Sequence, residues 1–276
     1  MRHFSRTPSG RIAYVDGRYA PHAEASVHIE DRGLQFADSI YEVCAVVNGA
    51  MLDEEGHLDR LERSLKALSI PMPMARGALQ IVMREMLRRN RLAHGLLYMQ
   101  VTRGASRRDH PIPKDAKPTL IMTARALSAA ALEKRRVEGV AVITRPDNRW
   151  GRCDIKTTGL LANVLAKTEA RAAGAFEAWF VDAKGLVTEG SSTNAWIVTR
   201  DGTLVTRDLA ANILAGVTRA TVMRALAAEG IKAEERAFSC EEAYGAREAF
   251  STSATDRKST RLNSSHVSES RMPSSA

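Results

Sequence analysis

The chain is poor in cysteine. Cys44, Cys153 and Cys240 are the only three in 276 residues, odd in number and far apart. That argues against a disulfide framework, fits a reducing cytosol, and gives no zinc-ligand spacing. No apolar run approaches the length needed to cross a bilayer, so no membrane partner is expected. The opening Met1-Arg2-His3-Phe4-Ser5-Arg6 is basic, but no apolar segment follows it as a secretory signal would require. A cytoplasmic location is therefore the expectation. Internal repeats are lacking as well.

What is present in excess is positive charge: 40 Lys and Arg against 32 Asp and Glu, a formal net charge of +8. Nucleic-acid binding would need that charge grouped into a patch. Instead, four basic residues (Arg257, Lys258, Arg261, Arg271) fall in the last segment, and the rest shows no basic block with interleaved aromatics. Several arginines are better matched to small anions, and no nucleic-acid partner is expected.

At this length two domains fit better than one. Residues 1–125 read as a small N-terminal α/β domain, opening with a hairpin that turns at Asp16-Gly17. A strand over 40–47 turns at Asn48-Gly49. Leu58, Leu61, Leu65 and Leu68 recur at spacings of three and four, predicting an amphipathic helix. A second helix over 75–92 and strands over 96–103 and 119–123 complete an α+β unit. Residues 126–138 read as a linker and 139–256 as a larger second domain. A helix is expected after Lys156, with Leu160, Leu161, Val164 and Leu165 on one side. Strands are expected over 178–181, 186–189, 194–198 and 203–206, a helix from Thr218 to Ala228 ending at Gly230, and a capping box formed by Ser239 and Glu242. From Arg257 the chain turns serine-rich with almost no apolar residues, so 257–276 reads as a disordered or foreign tail.

Five constellations carry chemistry. Lys156, in Cys153-Asp154-Ile155-Lys156-Thr157-Thr158-Gly159, sits where a short strand gives way to a helix; burial there would favour a neutral, nucleophilic amine. A lysine at such a place is commonly a solvated surface residue instead. Glu189, opening Glu189-Gly190-Ser191-Ser192-Thr193-Asn194, could meet the ring nitrogen of a cofactor, or simply precede a polar hairpin corner. Leu214-Ala215-Gly216-Val217-Thr218-Arg219 is a glycine turn opening a helix, suited to a phosphate or to an ordinary cap. Phe250-Ser251-Thr252-Ser253-Ala254-Thr255 offers further hydroxyl donors, or only a turn. Arg103-Gly104-Ala105-Ser106-Arg107-Arg108-Asp109-His110 places cations on one loop, where arginine can grip a carboxylate, although solvated basic loops are frequent.

In combination and order, the run from His57 to Leu61, Cys153-Asp154-Ile155-Lys156, Thr188-Glu189-Gly190-Ser191-Ser192 with Asn194, and Gly216-Val217-Thr218-Arg219 resemble the class IV (fold type IV) aminotransferases. The resemblance covers about residues 10 to 255. Asp31-Arg32-Gly33-Leu34-Gln35-Phe36, Tyr41-Glu42-Val43 and Arg108-x-His110 are most similar to the members of that family acting on D-amino acids. The resemblance implies a two-domain α+β fold, with a β-barrel-like sheet and helices in the larger domain. It implies pyridoxal 5'-phosphate held by Lys156 as a Schiff base, with Glu189 at the pyridine nitrogen and Arg60, Val217 and Thr218 on the phosphate. Leu214 would lie against the ring, while Ser253, Ala254 and Thr255 would close the phosphate and substrate side. Tyr41, Arg108 and His110 would form the trap for the substrate α-carboxylate, completed across a homodimer interface.

The implied reaction is amino transfer between a D-amino acid, such as D-alanine, and 2-oxoglutarate, giving a 2-oxo acid and D-glutamate. Branched-chain aminotransferase and aminodeoxychorismate lyase are rivals on the same scaffold, and a cofactor-free binding protein is a rival of another class. Two departures stand out: Ala37 occupies a place where glycine is common, and Ala254 replaces a hydroxyl residue of some relatives.

Overall fold

The computed structural model describes residues 10–128, 130, 133, 137–209, 212–254 and, as backbone, 256–261. It divides into two compact units, Met1–Ala129 with Ile155–Gly159, and Ala130–Asp154 with Leu160–Ala276. Within the expected linker 126–138, residues 129, 131, 132 and 134–136 lie outside the described residues.

The first unit is built on a six-stranded antiparallel sheet, in the order β2-β1-β6-β5-β3-β4. Its strands are β1 (Ile12–Val15), β2 (Arg18–Pro21), β3 (Ser39–Val47), β4 (Ala50–Met51), β5 (Gly95–Thr102) and β6 (Thr119–Ala126). Both hairpins form where the sequence places them. Asp16 and Gly17 have φ of 42° and 91°, and Asn48 and Gly49 have 51° and 75°, the left-handed pair that matches strand twist. Helices α2 (Glu54–Ala67) and α3 (Arg76–Arg89) bury Leu58, Leu61, Leu65, Leu79, Met83 and Met86 against the sheet. The period of two on β3 then decides the chemistry: Ile40, Glu42 and Cys44 turn into that core, and Tyr41 turns to the opposite face.

A short helix, α1 (Arg32–Phe36), carries no periodic signal. It exists because the Asp31 carboxylate accepts from the Gly33 amide at its start and Ala37 closes it in the left-handed conformation, at φ 53°. That conformation explains why glycine suits this place: a Cβ there costs about 1 kcal/mol. Ala37→Gly should therefore stabilise the protein by roughly 1 kcal/mol, read as a higher urea midpoint at unchanged slope. An unchanged or lower midpoint would overturn this account.

The second unit holds a three-stranded sheet, β7-β8-β9, and a five-stranded one, β12-β11-β10-β13-β14. The strands are β7 (Val142–Pro146), β8 (Glu177–Val181), β9 (Val187–Gly190), β10 (Asn194–Val198), β11 (Leu204–Thr206), β12 (Ala233–Glu235), β13 (Glu248–Ser253) and β14 (Asp256–Arg261). A bond from the Gly190 amide to the Thr193 carbonyl, 2.7 Å, ties the end of β9 to the start of β10. Helices α4 (Leu161–Ala172), α5 (Val217–Ala228) and α6 (Cys240–Gly245) accompany the sheets. Ser239 caps α6 by accepting from the Glu242 amide, and Gly230 follows α5 with φ 65°. Strand β14 pairs with β13 as far as Arg261, and residues 262–276 of the expected tail lie outside the described residues.

The leucine-bearing side of α4 is not its buried side. On α4 it is Ala166 and Ala170 that are buried, against Ile143, Ala178 and Phe180. Leu161, Val164 and Leu165 are 72%, 55% and 53% exposed. Periodicity reveals that a helix side is apolar, but not which body covers it.

Candidate active site

Lys156 lies on a short extended segment docked at the start of β3. The Tyr41 amide donates to the Lys156 carbonyl (2.9 Å), and Ile40 bridges Thr157. Ile155 and Thr157 are buried, whereas Lys156 itself is only half-buried, less than the expected apolar burial. Its Nζ stands 4.3 Å from the centre of the Tyr41 ring, which stacks on Tyr98 at 5.7 Å. Ser39 Oγ meets Thr158 Oγ1 and accepts from Gln100 Nε2, and Gln100 accepts from the Tyr98 hydroxyl (2.9 Å). Burial, with a smaller contribution from Tyr41, pushes the Tyr98 phenol up to about 12, so it remains a donor. The lysine segment is thus fixed both through its backbone and through a polar chain running back to β5.

Arg60 is 4% exposed on the inner face of α2. Its Nε and Nη2 donate to the two oxygens of Glu42 at 2.7 and 2.8 Å, and His57 Nδ1 is 2.8 Å from Glu42 Oε2. Burial alone would push the Glu42 carboxyl up, but Arg60 and His57 outweigh it and hold it down to about 2. The structure places the three proposed carboxylate-trap residues in two groups. Tyr41 stands with Lys156, while Arg108 and His110 gather on the Phe36 ring at 5.0 and 5.6 Å, on an exposed loop. Arg32 steadies that loop by donating to the carbonyls of Asp109 and His110, with Nε on Asp38 at 2.8 Å.

In the second unit Glu189 is 5% exposed at the end of β9. Asn194 Nδ2 donates to its Oε2 at 3.0 Å, and the Leu214 amide reaches both oxygens at 3.2 Å. Leu214 and Glu189 are therefore brought together. Helix α5 begins after Gly216, where no side chain caps it. A Cβ on Gly216 would sit 2.1 Å from Asn194 Oδ1, so only glycine fits. The amides of Val217 and Thr218 open this twelve-residue helix, an end suited to an anion. Ser253 ends β13 and Ala254 lies in the turn to β14. Thr255 lies outside the described residues.

By residue type, each unit carries groups that suit pyridoxal phosphate: an amine and a buried guanidinium in the first, a buried carboxylate and an uncapped helix start in the second. No group of three or more His, Cys, Asp or Glu among the described residues could hold a metal ion, and no helix there is long and apolar enough to cross a membrane.

Two charged residues escaped the sequence reading. Arg149 donates to Glu189 Oε1, and its Nε and Nη2 grip Asp147 at 2.9 and 2.8 Å. Burial would raise the Asp147 carboxyl, but Arg149 and Thr188 hold it below its ordinary value. Glu177, fully buried, accepts from the hydroxyls of Ser191 and Ser192 and pairs with Lys167 at 3.1 Å. The two serines are thereby spent on bracing the corner between Glu189 and Asn194.

The architecture is the fold type IV aminotransferase fold. It superposes on Escherichia coli branched-chain aminotransferase with a TM-score of 0.82, at 23% identity, covering 92% of this chain and 86% of that one. The branched-chain aminotransferase of Thermoproteus uzoniensis with norvaline gives 0.79 at 29% identity (92% and 86%). The 4-amino-4-deoxychorismate lyase of Pseudomonas aeruginosa gives 0.77 at 29% (91% and 90%). The chain belongs to the amino-transferase class IV family, whose sequence model matches residues 39–258. In sequence it is 38% identical over 240 residues to the D-alanine aminotransferase of Bacillus licheniformis, covering 87% of this chain and 83% of that one. The D-alanine aminotransferase of Staphylococcus epidermidis is 33% identical over 260 residues, with coverage of 93% and 90%.

Proposed function

We propose that the chain moves the amino group of a D-amino acid, D-alanine among them, to 2-oxoglutarate, with pyridoxal 5'-phosphate as its cofactor. The products are a 2-oxo acid and D-glutamate. The observation that carries this reading is the pairing of Arg108 and His110 on one aromatic platform, in a chain 38% identical to a D-alanine aminotransferase. The fold by itself does not choose the substrate, because branched-chain transaminases and a lyase share it.

When bound, the cofactor supplies an aldehyde for the amino group and a ring that accepts the electrons left at the substrate Cα. The chain supplies the rest. Lys156 Nζ would hold the cofactor through its amine and, once free, would take and return the Cα proton. Glu189 holds the proton at the ring nitrogen. Arg60, the amide of Val217 and the hydroxyl and amide of Thr218 anchor the phosphate, and Leu214 packs against the ring. Ser253, Ala254 and Thr255 close the phosphate side. Tyr41, Arg108 and His110 take the α-carboxylate.

The working form is a homodimer in the cytoplasm. The exposed apolar side of α4 supports a second copy as the covering body. The test is amino transfer to 2-oxoglutarate from a panel of D- and L-amino acids, with added cofactor. D-Alanine should turn over at least about tenfold faster than L-leucine, the step that one well-placed charged contact is worth. Preference for L-leucine would support the branched-chain reading, and pyruvate release from aminodeoxychorismate without any oxo acid would support the lyase reading.

A further inference from the structure

Arg149 is buried, with 6% of its side chain exposed, and its guanidinium lies 4.6 Å from the centre of the Phe180 ring. Each edge of that guanidinium is committed. One edge, Nε and Nη2, grips both oxygens of Asp147; Nη1 donates to Glu189; and Nη2 also reaches the Asn212 carbonyl at 3.1 Å. Glu189 meanwhile receives Asn194 and the Leu214 amide. Its carboxylate is therefore held by donors on both oxygens, the Arg149 cation among them. A carboxyl this deeply buried without a cation prefers its neutral form, and a neutral acid holds a protonated ring nitrogen poorly.

We propose that Arg149 is a positioning residue which keeps Glu189 charged and oriented toward the ring nitrogen of the cofactor. This rests on the reading of Glu189 given above. Arg149 itself handles no substrate proton. It acts by fixing the charge of the acid that does the holding, so its effect falls on the interaction with one ring atom. The competing account is mechanical: the Asp147–Arg149 pair would merely staple the end of β7 to β9, with no influence on the ring.

The two accounts separate by comparing pyridoxal phosphate with 1-deazapyridoxal phosphate, which has carbon in place of the ring nitrogen and keeps aldehyde and phosphate. Dissociation constants of both are measured on the cofactor-depleted full chain without substrate. The unmodified protein should prefer pyridoxal phosphate by at least about tenfold, the scale of one charge-assisted hydrogen bond. Arg149→Met should reduce that ratio to below about threefold, and Arg149→Lys should leave it intermediate. Asp147→Asn keeps the guanidinium for Glu189 and should preserve the ratio. A folded Arg149→Met protein with the full ratio overturns the proposal, as does a loss in Asp147→Asn equal to that in Arg149→Met. If Arg149→Met does not fold by circular dichroism, the other two variants decide: the ratio must narrow in Arg149→Lys and hold in Asp147→Asn, and the reverse order overturns the proposal. Glu189→Gln serves as the control, because retention of the full ratio there refutes the role of Glu189 itself, whatever Arg149 does.

Discussion

Lys156→Ala is expected to lower amino transfer by at least about 10⁴-fold and to abolish the near-visible absorbance that appears when cofactor is added. The magnitude follows from the two tasks assigned to one nitrogen. A positioned general base contributes 10²–10⁴-fold, and loss of the covalent attachment point removes a further factor. Alanine leaves the backbone bond from Tyr41 to residue 156 in place, so the segment docked on β3 should keep its form. Stability should therefore change little, because the Lys156 side chain is half-buried and contributes mainly its contact with the Tyr41 ring. Such cation–π contacts are worth roughly 0.5–1 kcal/mol at partly exposed sites. An unchanged spectrum with near-normal turnover would remove Lys156 from the chemistry. A large drop in the thermal midpoint would instead show the residue to be structural. Added methylamine offers a finer check: partial rescue of turnover would assign Lys156 a share in proton transfer.

How far such expectations could be drawn before the fold was known varies with the physical range of each signal. The Asp16-Gly17 and Asn48-Gly49 turns were legible because left-handed backbone pairs need those residue types locally. Helix α2 was legible because its leucines repeat on one face that meets a sheet in the same unit. Helix α1 was not, since five residues hold no period and its cause is a side-chain cap from Asp31. Strand β12, Ala233–Glu235, was missed for a similar reason: it has no apolar alternation and forms by parallel pairing with β11. At the site, Lys156 and Glu189 stood out because their neighbours in sequence form recognisable motifs. Arg149 did not. In Asp147-Asn148-Arg149-Trp150 it reads as a polar turn, and its meaning comes from Glu189, forty residues further on. Glu177 is the same case, an acid within a strand whose partners Ser191 and Ser192 arrive only when β9 and β10 fold back.

The Glu42–Arg60 pair carries the second large effect, and it separates stability from function. Glu42→Gln removes the charge opposite a guanidinium that is 4% exposed. Breaking a buried pair from one side costs about 3–5 kcal/mol, because the remaining charge is left in a poor solvent. The sign of the pH dependence follows from the carboxyl being held down from 4.5 to about 2. A lowered carboxyl contributes stability that is complete above its unfolded value and is lost as pH falls through the folded one. The difference between unmodified protein and Glu42→Gln should thus be widest at neutral pH and narrow between pH 4.5 and 2, as measured by urea unfolding across that range. A difference that stays constant over the range would show that packing, not charge, is being lost. The double variant Glu42→Leu with Arg60→Met then tests why the pair is there. Replacing both charges by apolar groups of similar size is often neutral or stabilising, so the double variant should recover most of the lost stability. It should not recover cofactor binding if Arg60 holds the phosphate: affinity for pyridoxal phosphate should remain at least about tenfold weaker, the scale of one charged hydrogen bond. Recovery of both together would make the pair a purely structural element and return the phosphate entirely to the amides that open α5.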